Sequence, residues 1–359
     1  MSHLAELTTI RTVSEPPAIA GLRFRGFAGE EDYPSMLAVI ERSKEADQIE
    51  RTDTLDDIRR NYAHLVNSDP QTDMLFAEVN GHVVGYSRVW WQFVDDGQRV
   101  YSHLSFLLPE WRGYGIRLAM LRFSERRLAE IARGHNSSLP AFYEAWASDG
   151  EHHLRQLLEA QGYCAVRYGF EMVRSSLDDI PDLDLPEGID VRPARPEHFR
   201  QIWDAAREAF QDHWGYSEAE WAYSNLESWQ QSPTFTPDLW QVAWAGDEVA
   251  GMVLNFISDA ENQEYNRKRG YTETICVRRP WRRRGLARAL IARSLRVHRD
   301  VGMTETALGV DAQNPNGALQ LYESMGYQVV KRNSVYRKPL DAEALAQEET
   351  SNEDHSRTL

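Results

Sequence analysis

Arg282, Arg283 and Arg284, followed by Gly285, Leu286 and Ala287, are the residues of this chain best arranged to hold an anion. They lie between a run of β character at 271–277 and a run of helical periodicity from Gly285 to about Asp300. A strand that turns directly into a helix exposes unpaired backbone N–H groups. With the positive end of the helix dipole, these suit a phosphate or pyrophosphate. Gly285 and Ala287 keep side chains clear where an anion must touch the backbone. Six arginines (Arg278, Arg279, Arg282, Arg283, Arg284 and Arg288) gather here in a chain of net charge −15. That local reversal of sign points to an anionic ligand. Nucleic acid is a poorer fit, because the basic residues are confined to one turn of an acidic chain.

The elements around this turn follow from periodicity. Leu286, Leu290, Ile291, Leu295 and Val297 fall on one half of the helical wheel, with Arg288, Arg293, Arg296, Arg299 and Asp300 on the other. The helix therefore packs on a sheet by one face. A second strand-like run follows at 304–310, then residues 311–316 and a short helical run reaching Gly326-Tyr327. Asn314 and Pro315 read as the cap and first residue of that helix, and Gly326 as its stop.

The spacing Arg-x-x-Gly-x-Ala, followed by Asn314-Pro-Asn-Gly-Ala-Leu-Gln-Leu-Tyr322-Glu-Ser-Met-Gly-Tyr, resembles the two motifs of the GNAT superfamily of N-acetyltransferases, in order and at the right distance. The resemblance covers about residues 188–340. It implies acetyl-CoA as cosubstrate and transfer of an acyl group to an amine.

A looser copy of the pattern occupies the first half. Residues 21–27 match 188–194, 73–85 match 238–251, 109–117 match 279–287, and 157–163 match 321–327. Four correspondences in one order indicate a duplicated domain. The expected fold class is α/β: two tandem GNAT-like domains, each a twisted mixed six- to seven-stranded sheet flanked by helices. The expected boundaries are an N-terminal arm at 1–20, read as loose, and a degenerate domain at 21–176. A Pro- and Asp-rich linker at 177–187, the acetyltransferase domain at 188–340 and a disordered acidic tail at 341–359 follow. Within the superfamily this tandem layout resembles that of mycothiol synthase.

The halves look unequal. Arg117 stands where the second half has Ala287, either blocking a pyrophosphate or contacting it. Leu158 replaces Tyr322, and the asparagine before the helix is replaced as well. The first half is therefore read as structural or substrate-lining.

In the second half, the resemblance implies a proton acceptor for the incoming amine and a proton donor for the leaving thiolate. An alkyl ammonium has a pKa of about 10 and must lose its proton before attack. Glu273, on the strand leading to the CoA loop, is the candidate base; alternation places it on the face of Tyr271, Ile275 and Val277. Otherwise it is a half-exposed glutamate paired to a nearby arginine. Tyr322 is the candidate acid; its spacing with Ala318, Leu321 and Met325 also fits a plain core face. Ile275, Cys276 and Val277 are expected to offer backbone groups to the pantetheine arm, with Cys276 a small buried residue rather than a nucleophile. The pyrophosphate falls to residues 282–288, and Asn314 either contacts CoA or only caps its helix. Asp212, His213, Trp214 and Tyr216 are expected to line the acceptor site as an aromatic, acidic pocket for a cation.

The remaining expectations are broader. Two cysteines, far apart, argue against a disulfide framework or a cysteine zinc site, and place the chain in the cytoplasm. No metal, no membrane and no nucleic acid are expected; the partner is a small-molecule amine, and the chain a monomer or weak homodimer. The alternative function is a non-catalytic acyl-CoA-binding sensor or scaffold, which would keep the arginine–glycine loop without needing Glu273 or Tyr322.

Overall fold

The computed structural model describes residues 10–94 and 97–340. The tail at 341–359 and the first part of the arm lie outside them. In chain order the first half contains β1 (Leu22–Arg25), α1 (Tyr33–Asp47), α2 (Leu55–Ala63), α3 (Pro70–Asp73), β2 (Met74–Val79), β3 (His82–Val94), β4 (Gln98–Leu107), α4 (Ile116–Gly134), β5 (Ala141–Ser148), α5 (His152–Ala160) and β6 (Cys164–Arg174). The second contains β7 (Asp190–Arg192), α6 (Phe199–Phe210), α7 (Tyr223–Trp229), β8 (Gln241–Ala245), β9 (Glu248–Ile257), α8 (Asp259–Glu264), β10 (Arg269–Val277), α9 (Leu286–Asp300), β11 (Glu305–Asp311), α10 (Ala318–Ser324) and β12 (Gln328–Pro339). No described helix is long and apolar enough to cross a membrane.

These elements form two compact units, and the division falls inside two strands. One unit takes the described residues up to Val166 and those from Ser334; the other is Arg167–Asn333. The first unit has strand order β1-β2-β3-β4-β5-β12, the second β6-β11-β10-β9-β8-β7. Each is a mixed sheet with one parallel pair, β4 with β5 and β10 with β11. Ladder hydrogen bonding carries residues 167–174 into the second unit, where Gly169–Arg174 pair antiparallel with β11. In the first, Leu340 donates to the Ala141 carbonyl at 2.9 Å and the buried Arg337 to Glu144 at 2.6 Å. The exchange of these last strands was not visible as a periodicity.

The described part of the arm, expected to be loose, and the linker are both packed. Val13 of the arm is 5% exposed in the first core, and Arg11 N–H donates to the Phe24 carbonyl at 3.0 Å. In the linker, Leu177 is buried with α9, while Arg296 bonds the Pro181 carbonyl and Asp182, both at 2.8 Å. Apolar residues within otherwise polar stretches (Val13, Leu177) supply the burial that docks them.

The hairpin between β2 and β3 turns on Asn80 and Gly81, both at positive φ (51° and 82°), which suits the twist of the strands it joins. In the second unit α9 lays Leu286, Leu290, Ile291 and Leu295 on the sheet, each at most 2% exposed. Each such side chain contributes about 1.5–3 kcal/mol by burial. His298 continues this face and is fully buried. It approaches β10 so closely that a Cβ on Gly270 would meet its ring. Its Nε2 contacts the Tyr271 carbonyl at 3.2 Å, and burial pushes its pKa down to about 4, so it sits there neutral. Gly270 and His298 thus fix α9 against β10 just before the strand changes course.

Candidate active site

The site is made by a fault in β10. The strand pairs with β9 regularly up to Glu273 opposite Leu254, then resumes at Cys276 opposite Met252, leaving Thr274 and Ile275 as an extra residue's worth of chain. Thr274 takes φ +47°, the left-handed region that a β-branched residue avoids. On its other edge β10 pairs with β11 only through Arg269–Tyr271. Beyond that point the strands part, and the Gly309 N–H, which a ladder carbonyl would otherwise receive, donates to Glu273 Oε1 at 3.2 Å.

Parting and bulge open a cleft of about 580 Å³. Its walls carry Glu273, Thr274, Ile275, Cys276 and Val277 from β10, Gly309 and Val310 from β11, Tyr322 from α10, and the start of α9. The bulge also corrects the expected alternation. Because one residue is added, Glu273 shares its register face with Cys276, and Val277 lies on the opposite one.

Glu273 is not paired to an arginine: its contact is the Gly309 amide, and desolvation pushes its pKa up to about 7. Tyr322 is 6% exposed. Burial, and next the nearby charge of Glu273, raise its pKa well above the ordinary tyrosine range, so it stays protonated. Cys276 is buried and free, and burial pushes its thiol up to about 12, which makes it inert as a nucleophile.

At the far end, Gly285 at φ +83° turns the chain into α9 with no side chain capping the helix. The first intrahelical bond is Ala289 N–H to the Gly285 carbonyl at 3.1 Å. The amides of Leu286, Ala287 and Arg288 are therefore left without an intrahelical acceptor, in residues that line the cleft. The arginines divide in two. Arg278 binds Glu208 and the Val249 carbonyl. Arg279 and Arg282 both hold Asp212, and Arg282 also bonds the Val277 and Ala209 carbonyls. Arg283, Arg284 and Arg288 are exposed; Arg283 and Arg288 border the cleft and Arg284 does not.

Asn314 lines the cleft but is not the helix cap. Its side chain accepts the Asn316 N–H at 2.8 Å in a local turn, and α10 starts at Ala318 with Gly317 at φ +74° before it. The side-chain turn competes successfully with helix initiation there. Gly326, at φ +88°, stops the helix as expected.

The four residues expected at the acceptor site disperse. Asp212 is held by Arg279 and Arg282, which lower its pKa to about 2; it braces the loop before α9 instead of facing a cation. Tyr216 is buried and donates to Glu218 at 2.6 Å. Trp214 lies under the Arg167 guanidinium, 5.3 Å from its ring centre. Only His213 lines the cleft, against Phe210. Spacing alone could not show that the arginine cluster would draw Asp212 away. Among the described residues no group of three or more His, Cys, Asp or Glu could hold a metal.

The sequence profile of the Acetyltransferase (GNAT) family matches residues 199–327. The chain is 27% identical over 270 residues to a mycothiol acetyltransferase of Streptomyces bingchenggensis, covering 74% of this chain and 80% of that one. It is 27% identical over 232 residues to that of Salinispora tropica, covering 63% and 73%. Among solved structures, a GCN5-related N-acetyltransferase from Sphaerobacter thermophilus has the same fold, with a TM-score of 0.67 at 24% identity over 92% of this chain and 97% of that one. A tandem GNAT protein from the clavulanic acid biosynthesis pathway shares it too, with a TM-score of 0.61 at 14% identity over 89% and 99%. Residues 199–327 of the second unit thus match the GNAT acetyltransferase family, and the chain is similar to mycothiol acetyltransferases at 27% identity.

Proposed function

We propose that the chain transfers an acetyl group from acetyl-CoA to the amine of a small molecule, by direct attack on the thioester, in the cleft of the second unit. The observation that carries this reading is the bulged β10, which brings a desolvated, unpaired carboxylate and a protonated tyrosine to one cleft ending at bare helix amides. The start of α9, with Arg283 and Arg288, suits the pyrophosphate by dipole and charge. The chain near Thr274 and Ile275, released from the β9 register, has backbone groups to offer the pantetheine arm and the thioester carbonyl.

Glu273, with a pKa of about 7, is matched to accept the ammonium proton, directly or through water, near neutral pH. The neutral nitrogen then bonds to the acyl carbon as the carbon–sulfur bond breaks. Tyr322 gives its proton to the departing sulfur, the second proton shed by the acylated nitrogen restores the Tyr322 hydroxyl directly or through water, and the proton held by Glu273 is lost to solvent. The amide and free CoA leave, with all protons accounted for.

The relatives' name makes the acceptor of mycothiol acetylation one amine to try, at 27% identity one among several. We take the reaction to be cytoplasmic and the first unit to be supporting. Purified chain is tested for CoA release across a panel of primary amines, with Tyr322→Phe alongside. Turnover that falls in the mutant supports the enzyme; tight acetyl-CoA binding with no turnover on any amine marks a sensor instead.

A further inference from the structure

A second, smaller cavity of about 110 Å³ opens beside the bulge. Its walls are indoles, Trp203, Trp221, Trp229 and Trp240, completed by Phe199 and Leu254. The rings brace one another. Trp229 and Trp240 stack with centres 5.3 Å apart and planes 12° from parallel. Trp203 lies 5.0 Å from Trp221 and donates its Nε1–H to the Trp221 carbonyl at 2.9 Å.

Two features tie this cavity to the reaction site. Thr274, the residue at φ +47°, lines both the cavity and the cleft. Leu254, in the cavity wall, is the register partner of Glu273, so cavity and base share one face of the sheet. The walls are apolar apart from Thr274 and from Trp240, which, 3% exposed, keeps its buried ring N–H without a partner. A strongly hydrated group gains nothing in such a place, because its lost water contacts are not replaced. A flat apolar group fits: an apolar cavity of about 150 Å³ in another protein stays dry and takes up benzene.

We infer that the cavity seats the side group of the acceptor, and that the acceptor is a primary amine carrying a compact aromatic group one or two carbons from its nitrogen. The inference rests on the acetyl-transfer reading and narrows it. A short spacer matches a cavity that meets the cleft at a single residue, Thr274, next to the base. The tryptophans crowded into α6, α7 and the chain before β8 thereby acquire a role beyond filling a core.

The test is a calorimetric titration of the full chain, with and without saturating CoA, using phenethylamine, and ethanolamine as the hydrophilic comparison. Phenethylamine is expected to bind at least tenfold more tightly than ethanolamine. Ala206→Leu, which adds bulk to the cavity wall from α6, is expected to remove at least tenfold of that affinity while acetyl-CoA still binds. Trp229→Ala, which enlarges the cavity, is expected to shift preference toward naphthylethylamine. Equal binding of the two amines, or phenethylamine affinity untouched by Ala206→Leu, overturns the inference. Loss of acetyl-CoA binding by the unmutated chain strikes the acetyl-transfer reading instead; the amine titration needs no turnover and is read separately.

Discussion

β4 and β10 occupy the same place in their units, and one difference between them bears directly on the proposed site. β4 pairs with β3 without a fault from Gln98 to Leu107, whereas β10 is bulged at Thr274. At the ladder position of Glu273, β4 carries Leu104; its neighbour His103, in the place of Thr272, is 3% exposed, bonded to Tyr163 at 2.9 Å and pushed down to about 3 by burial. At the helix start, Gly115 matches Gly285 at nearly the same φ, 86° against 83°. Yet the first unit's loop is filled from within. The Gly113 N–H donates to His153 Nε2 at 3.1 Å, and Pro17 packs on Gly115. Arg117 is buried, its charge facing Arg112, Asp47 and Glu151. A glycine turn is therefore not enough; the amides must also be left unengaged, and the strand must open.

The comparison breaks most sharply if the second unit is made to look like the first. Ala287→Arg is expected to weaken acetyl-CoA binding at least a hundredfold, and Arg117→Ala to leave the stoichiometry at one per chain; calorimetry reads both. A second equivalent of acetyl-CoA on the unmutated chain would contradict the plugged-loop account. Next in size, Glu273→Gln is expected to lower kcat about 10²–10³-fold at pH 8, with acetyl-CoA affinity retained. Tyr322→Phe is expected to cost about tenfold to a hundredfold in kcat.

The pH dependence sharpens the same contrast. With the Glu273 pKa at about 7, kcat/KM is expected to rise through pH 7 to a plateau. The sign for stability is opposite. A carboxyl whose folded pKa is raised from 4.5 to about 7 leaves stability intact below pH 4.5 and removes it as pH rises through 7. Glu273→Gln is thus expected to stabilise the chain by about 1–3 kcal/mol at pH 8.5 and not at pH 4.5, by denaturant unfolding. Smallest of all, Asp212→Asn, which loosens the grip of Arg279 and Arg282 on the loop, is expected to raise the KM for acetyl-CoA only a few-fold.

How far the sequence revealed this can be judged residue by residue. The turn at Gly285, the amphipathic α9 and the hairpins were legible because they depend on local periodicity and on glycine's backbone freedom. The duplicated layout was legible from four matched segments. The bulge was not, since nothing about Thr274-Ile275 marks a strand fault and the partner β9 defines it. The fate of Asp212 was hidden for a related reason: its partners lie 67 and 70 residues away. His298 was missed too, although its place three residues after Leu295 puts it on the apolar face.

The division of each unit inside β6 and β12 has a consequence for anyone cutting the gene. A fragment begun after the Pro-rich segment, at residue 188, would discard Gly169–Arg174 and strip β11 of its antiparallel neighbour along Thr306–Asp311. Bare strand edges of that length recruit other chains, so precipitation is the expected fate of such a fragment. Expression boundaries drawn from hydrogen bonding, starting before β6, are the ones that keep the second unit's sheet whole.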